Sequence, residues 1–375
     1  VSPGQSSQPL FNAAGTARRL RAAPLFAIGP AEPGPAIRRG FLLAVPIGLA
    51  LGIELGFDAP TQGAIATGAL VNGFPGMDAP ARPRAAWQAA SAPLIGIAAA
   101  LGVLSSQAGP TAVLALGLMG LIAGYCFCVS LRLAIVGLSV TLAMLIAQGL
   151  FLPTGDAAPA LLYGTLGGLA QVAWSLIVWI ATDRKADEPE KAWSGREAVA
   201  ALRSNLSLGS QSARHAVRFG AALAAGVAAY RLLELHQHGF WIPLTILFVM
   251  RPERDETDHR LILRALGTVL GLILATAVAE TFMGEDLILA AVLTVAAAFS
   301  FGLLAVQYAL FTAAITTYVV LMSTTLGEAA FEAAGQRATG TALGIAIAFL
   351  AWRLWPNPVG TVDLASQPNV GGASS

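Results

Sequence analysis

Apolar residues in this chain come in long runs rather than in one-sided stripes. The runs lie near 37–56, 60–74, 85–104, 110–129, 132–152, 159–182, 215–233, 239–250, 262–283, 286–304, 306–326 and 337–355, separated by charged or Pro/Gly-rich breaks. They predict twelve helices, most of them long enough at 1.5 Å per residue to cross a hydrocarbon core roughly 30 Å thick. The run in 239–250 is too short, about 18 Å as a helix, and carries Pro243 at its centre.

Composition agrees with the pattern. Of 375 residues, 56% are hydrophobic and 11% charged, with a mean hydropathy of +0.69, a balance that no soluble domain of this length covers with polar surface. The fold class expected is an all-α polytopic membrane protein. Net charge is +1, so no basic excess points to nucleic acid. Cys126 and Cys128 sit inside an apolar run, too few for a zinc site and too close for an unstrained disulfide, and read as small buried apolar residues.

The distribution of charge orients the twelve helices. With the amino terminus inside, 20 of the 22 Lys and Arg fall on cytoplasmic segments, Arg231 and Arg337 being the exceptions, while the outward turns carry acids such as Glu54, Glu234 and Glu280. Both termini are then cytoplasmic. Residues 1–35 and 356–375, rich in Pro, Gly and Ser, read as disordered tails, the first without the apolar core of a leader peptide. The polar stretch 183–214 reads as a cytoplasmic linker between two six-helix regions, 36–182 and 215–355.

Those regions resemble each other. An offset of 180 pairs Arg38 with Arg218, Gly40 with Gly220, Ala44 with Ala224, Glu54 with Glu234, Asp78 with Asp258 and Arg84 with Arg264. At an offset of 176, GTLGG at 164–168 overlies GTALG at 340–344 and Trp179 overlies Trp355. An internal duplication of six helices makes two parallel repeats related by an axis along the membrane normal. The second helix of each repeat is the broken one, interrupted by Gly63, Gly68, Gly73 and Pro75 in the first copy and by Pro243 in the second. Matching interrupted segments in two repeats point to a transporter's binding site, because unpaired backbone groups are tolerated at membrane depth only against protein or a watery cavity.

The residues around the second broken helix form a recognisable pattern: W-x-P-L-T at 241–245, then Pro252, Thr257, Arg260, Arg264, Gly267, Thr268 and Gly271. This pattern resembles the signature of the fusaric acid resistance protein-like family, which includes the aromatic acid exporters. The first repeat keeps only its skeleton, RRG at 38–40 and D-x5-R at 78–84, with Gly63 in the place of Pro243. The resemblance implies an inner-membrane exporter of aromatic carboxylates or similar weak organic acids, coupled to the proton gradient. Its substrate site is then expected among Trp241, Pro243, Thr245, Arg251, Arg264, Arg84, Gln62 and Thr67, the guanidinium groups meeting carboxylates and Trp241 an aromatic ring.

Two bland readings compete there. Glu253, Asp255, Glu256 and Asp258 share the loop with Arg251 and Arg260 and are able to satisfy them, and Trp241 suits a membrane interface as an anchor. Proton coupling needs a carboxylate or histidine that changes protonation between access states, and Glu234, Glu54 and Asp258 are the candidates. The partners expected are a small organic anion and the lipid bilayer, with self-association left open. No cofactor or metal is expected, since H-x-H at 236–238 offers two ligands at most, and no nucleophile–base pair, phosphate loop or zincin motif suggests an enzyme. An organic-anion channel and a non-transporting anchor subunit are the alternatives to an exporter.

Overall fold

The structure is a computed structural model, and it describes residues 31–57, 61, 63–182, 195–235, 239–282, 284–325 and 329–356. Expectations for the tails beyond 31–356, for 183–194, for the H-x-H and for Gln62 lie outside the described residues. Within them the protein is all-helical: thirteen α-helices and one 3₁₀ turn, with no strand.

The first six helices are α1 (Pro33–Gly56), α2 (Ala64–Gly73), α3 (Ala81–Ser105), α4 (Gly109–Cys126), α5 (Leu131–Gly149) and α6 (Ala157–Thr182). A short polar helix, α7 (Gly195–Ser204), follows in the linker. The last six are α8 (Gln211–Leu232), α9 (Trp241–Val249), α10 (Arg254–Phe282), α11 (Asp286–Leu303), α12 (Tyr308–Thr325) and α13 (Ala330–Leu354). Their starts use ordinary capping chemistry. The Ser130 hydroxyl accepts the Leu133 amide at 3.1 Å ahead of α5, and Ser210 accepts that of Ala213 at 3.0 Å ahead of α8.

Eight of these helices are long and apolar enough to cross a membrane. Side chains such as Leu49, Leu114, Leu118 and Ile273, each more than half exposed, face outward, as lipid-facing residues do. Helices α8 and α13, with 22 and 25 residues, are long enough as well. Their hydropathy is lowered by His215, Arg218 and Arg337, which the fold turns inward and buries.

Helix α10 begins earlier than the apolar pattern indicates. Its first two turns are charged, and they are helical because Arg254 pairs with Asp258 at 3.5 Å and Arg260 with Glu256 at 2.9 Å, four residues apart, with Asp255 and Glu256 at the positive end of the helix dipole. Cys126 and Cys128 are half-buried rather than buried, because α4 ends at Cys126 and the chain turns there toward α5.

Packing follows one scheme in both sets of six. In the first set α3 packs on α5 and α6, α2 on α1 and α6, and α4 on α5; in the second, α10 packs on α12 and α13, α9 on α8 and α13, and α11 on α12. The sets meet through α1 against α11 and α4 against α8. Gly40 makes the first contact close and Gly220 the second, since a Cβ at Gly40 would meet Ala298 and Gly302, and one at Gly220 would meet Gly117 and Leu121.

Candidate functional site

The two interrupted helices are the shortest of the bundle, 10 residues in α2 and 9 in α9, roughly 15 and 14 Å long. Both lie inside it. Seven residues of α2 are buried, and in α9 every residue but Phe248 is, so neither crosses the bundle along its lipid face.

Around them sit the buried charges. Arg84, Arg218, Arg264 and Arg337 are buried, and among the described residues Glu54 is the one buried carboxylate. An ion at such depth costs several kcal/mol unless it is paired. Three of the five are provided for. Glu54 accepts the amides of Ile65 and Ala66 at 3.0 and 3.2 Å, so its carboxylate closes the amino-terminal end of α2. The Arg84 Nε donates to Ser175 Oγ at 3.1 Å, and Ser175 in turn donates to Gln88 Oε1 at 2.7 Å. Arg218 donates to the Trp355 carbonyl at 2.6 Å and lies 3.3 Å above the Trp352 ring.

Arg264 and Arg337 are not. Both are fully buried, and all three guanidinium nitrogens of Arg264 and two of those of Arg337 lack a hydrogen-bond partner. Their neighbours are aromatic: Arg264 lies 5.2 Å from the Phe248 ring centre and Arg337 4.6 Å from that of Trp241. The Tyr308 phenol faces Arg264 without a hydrogen bond of normal geometry, its own proton going to the Phe248 carbonyl at 3.1 Å. The two guanidinium groups are close enough to repel each other, and no carboxylate offsets them.

The same region holds hydroxyls without partners. Threonines within helices usually return their proton to the carbonyl four residues earlier, as Thr141, Thr281 and Thr294 do here at 2.7–2.8 Å. Thr245 on α9, Thr268 on α10, Thr312 and Thr316 on α12 and Thr341 on α13 are buried and do not. Glycines bring these helices together: a Cβ at Gly267 would strike Thr312, and one at Gly271 would strike Thr316.

The residues singled out by sequence therefore separate. Trp241, Thr245 and Arg264 are gathered here with open polar atoms, and Pro243 lies buried between them on α9. Arg251 joins the charged loop instead. It pairs with Glu256 at 3.7 Å and donates to its neighbouring Met250 carbonyl, and burial beside Arg260 lowers its pKa to about 9, leaving a cation at neutral pH. Arg84 belongs to the first set's closed network. Thr67 is half-buried on α2, far along the chain from these groups. Asp258 is held by Arg254.

The paired acids Glu54 and Glu234 also differ. Glu234 is exposed, at φ 55°, on the rim of a cleft of about 760 Å³ between α9 and α13 that Ile242, Phe331, Gln336 and Gly340 also line. Pro243 explains the difference, because it removes a donor at the start of α9 and the Ile242 amide is already bonded to Gly239 at 3.0 Å. No carboxylate is needed there. Sequence reasoning missed Arg337, which the charge pattern marked only as an arginine on the outward side; its signal was a cation one turn before GTALG in the last helix with no acid one turn away on the same face.

Comparison with known proteins bears on this region. Residues 200–357 match the family model described as fusaric acid resistance protein-like. Inner membrane protein YccS of Escherichia coli is 40% identical over 148 residues, 38% of this chain and 20% of that protein. Protein ORF2 of Neisseria gonorrhoeae is 42% identical over 78 residues, 21% of this chain and 18% of that one. A Haemophilus influenzae protein is 30% identical over 159 residues, 42% of this chain and 22% of its own length. The chain thus spans about a fifth of the curated relatives it matches. No solved structure matches it. The stretch that holds the unpaired arginines, their aromatic neighbours and the open threonines lies within the residues that match the fusaric acid resistance protein-like family model.

Proposed function

We propose that this protein is an inner-membrane exporter of aromatic carboxylates or similar weak organic acids, driven by the proton gradient. The observation that carries the reading is Arg264, a fully buried guanidinium with five donor hydrogens, no acceptor and an aromatic ring beside it. An incoming carboxylate supplies the missing charge, and its ring joins Phe248 and Trp241. The E. coli relative's name places that protein in the inner membrane, which supports the location.

Twelve spans in two parallel six-helix repeats, with both termini inside, give the frame. The recurrence of the same helix pairings in both sets supports duplication. Coupling is assigned to Glu54, with Glu234 at the cleft as the point of proton entry from outside. Protonating Glu54 weakens its hold on the Ile65 and Ala66 amides and frees α2 to shift, so proton binding and helix position become one equilibrium.

The test is uptake by liposomes containing the purified chain, with a panel of aromatic carboxylates and an imposed pH gradient. Saturable, gradient-dependent flux that is lost in Arg264→Ala is the expected result. Conductive flux indifferent to pH would make the protein an organic-anion channel, and no flux across the panel would overturn transport.

A further inference from the structure

Arg264 does not stand alone. Arg337, on α13, is equally buried, its Nε and one terminal nitrogen lack a partner, and it was not part of any expectation for the site. The two cations press on opposite ends of one short helix: Trp241 and Phe248, the rings they face, are seven residues apart on α9, a rise of roughly 10 Å. Thr245 lies between those rings on the same helix, with its hydroxyl open. Thr268 is one turn beyond Arg264 on α10, and Thr341 one turn beyond Arg337 on α13, both open as well.

One monocarboxylate paired with one of these guanidinium groups leaves the other buried without a charge partner of its own. We propose that Arg264 and Arg337 form a single two-cation site whose ligand carries two anionic groups held apart by a ring or a short chain, with the Thr245, Thr268 and Thr341 hydroxyls donating to its remaining oxygens. The inference rests on the reading of Arg264 as an anion receptor and adds the substrate's charge and length to it. Each anionic group meets a guanidinium in a water-poor site, where charge-assisted hydrogen bonds are strongest.

The experiment is equilibrium binding to the purified full chain in detergent at pH 7.5, read by tryptophan fluorescence, with three probes: benzoate, terephthalate and monomethyl terephthalate. The wild-type protein is expected to bind terephthalate about tenfold or more tighter than benzoate. Monomethyl terephthalate, of the same length but one charge, should bind like benzoate. Arg337→Gln should remove the preference for two charges, and Arg337→Lys should keep part of the preference. Equal affinity for terephthalate and its monomethyl ester in the wild type would overturn the two-cation site, whether or not any variant folds, and would leave Arg264 as a one-charge receptor. Absence of binding by all three probes would instead remove the anion receptor itself.

Discussion

The two six-helix sets place an arginine at the same point and use it differently. Arg84 and Arg264 are related by the 180-residue offset, and each lies buried in the third helix of its set. Around Arg84 most polar groups close on one another, the Gln88 Nε2 staying without a partner: Ser175 takes the Arg84 Nε–H and passes its own proton to Gln88 Oε1, while Asn72 donates to the Gln88 and Gly168 carbonyls at 3.1 and 2.9 Å and accepts from Ser91. Around Arg264 nothing closes. All three guanidinium nitrogens of Arg264, two of Arg337 and the surrounding threonine hydroxyls lack partners. A buried network is stable where its members are satisfied and costly where they are not, so the unpaid cost is concentrated around Arg264 rather than Arg84.

The sharpest way to break this comparison is to replace both arginines with methionine, which keeps length and removes charge. Arg264→Met is expected to raise the melting temperature of the ligand-free protein and to reduce substrate flux on the order of 100-fold, because it removes an unpaired buried cation that only the ligand satisfies. Arg84→Met is expected to do the reverse, lowering stability by about 1–3 kcal/mol because the buried Ser175 oxygen loses its donor, while leaving substrate affinity in folded protein unchanged. Melting curves and liposome flux on the same preparations decide it. If both substitutions destabilise alike, the two arginines play one structural role.

The acids extend the contrast. Glu54→Gln keeps the shape of the side chain but gives the α2 amides a weaker, uncharged acceptor, at a cost of about 1 kcal/mol. Flux in that variant should continue down a substrate gradient and lose its response to pH. Glu234→Gln, on the exposed rim, should alter stability by less than about 0.5 kcal/mol and shift only the external pH at which flux is half-maximal. Measuring flux against external pH for both separates them, and a Glu54→Gln protein with unaltered pH response would return Glu54 to a purely structural cap.

Much of the frame was legible in the chain because its signals are local. Run length gives the long helices, and a proline or a cluster of glycines gives the two interruptions. The signature also divides sensibly once seen. Thr257 accepts the Arg251 amide at 3.0 Å and the Trp352 indole N–H at 3.2 Å, tying the start of α10 to α13, and Gly267 and Gly271 let α10 approach α12. What was not legible depends on which polar groups find partners across helices. Arg251 and Arg264 look alike in sequence, yet one reaches Glu256 and the other reaches no acid. Arg231 and Arg337 look alike as outward cations, yet Arg231 donates to the Ser106 carbonyl at 2.7 Å while two buried nitrogens of Arg337 have no partner. Equality of Glu54 and Glu234, suggested by the repeat, fails for a reason present in the sequence: Pro243, the third residue of α9, has no amide to offer where Ala66, the third residue of α2, gives one to Glu54.

The smallest effect tests the finest part of the comparison. Thr312→Val and Thr316→Val preserve volume and remove hydroxyls that make no hydrogen bond, whereas Ser91→Ala on α3 removes a hydroxyl bonded to Asn72. Deleting an unpaired buried donor costs nothing and relieves its desolvation, so both valine variants should be neutral or stabilising by a few tenths of a kcal/mol; the Ser91 change should cost about 1 kcal/mol. Affinity should respond in the opposite sense, falling by about two- to fivefold in the valine variants and staying level in Ser91→Ala. Valine variants that lose stability without losing affinity would mean that those hydroxyls serve the α10–α12 contact, and the open groups of the second set would shrink to Arg264, Arg337 and the threonines that flank them on α9, α10 and α13.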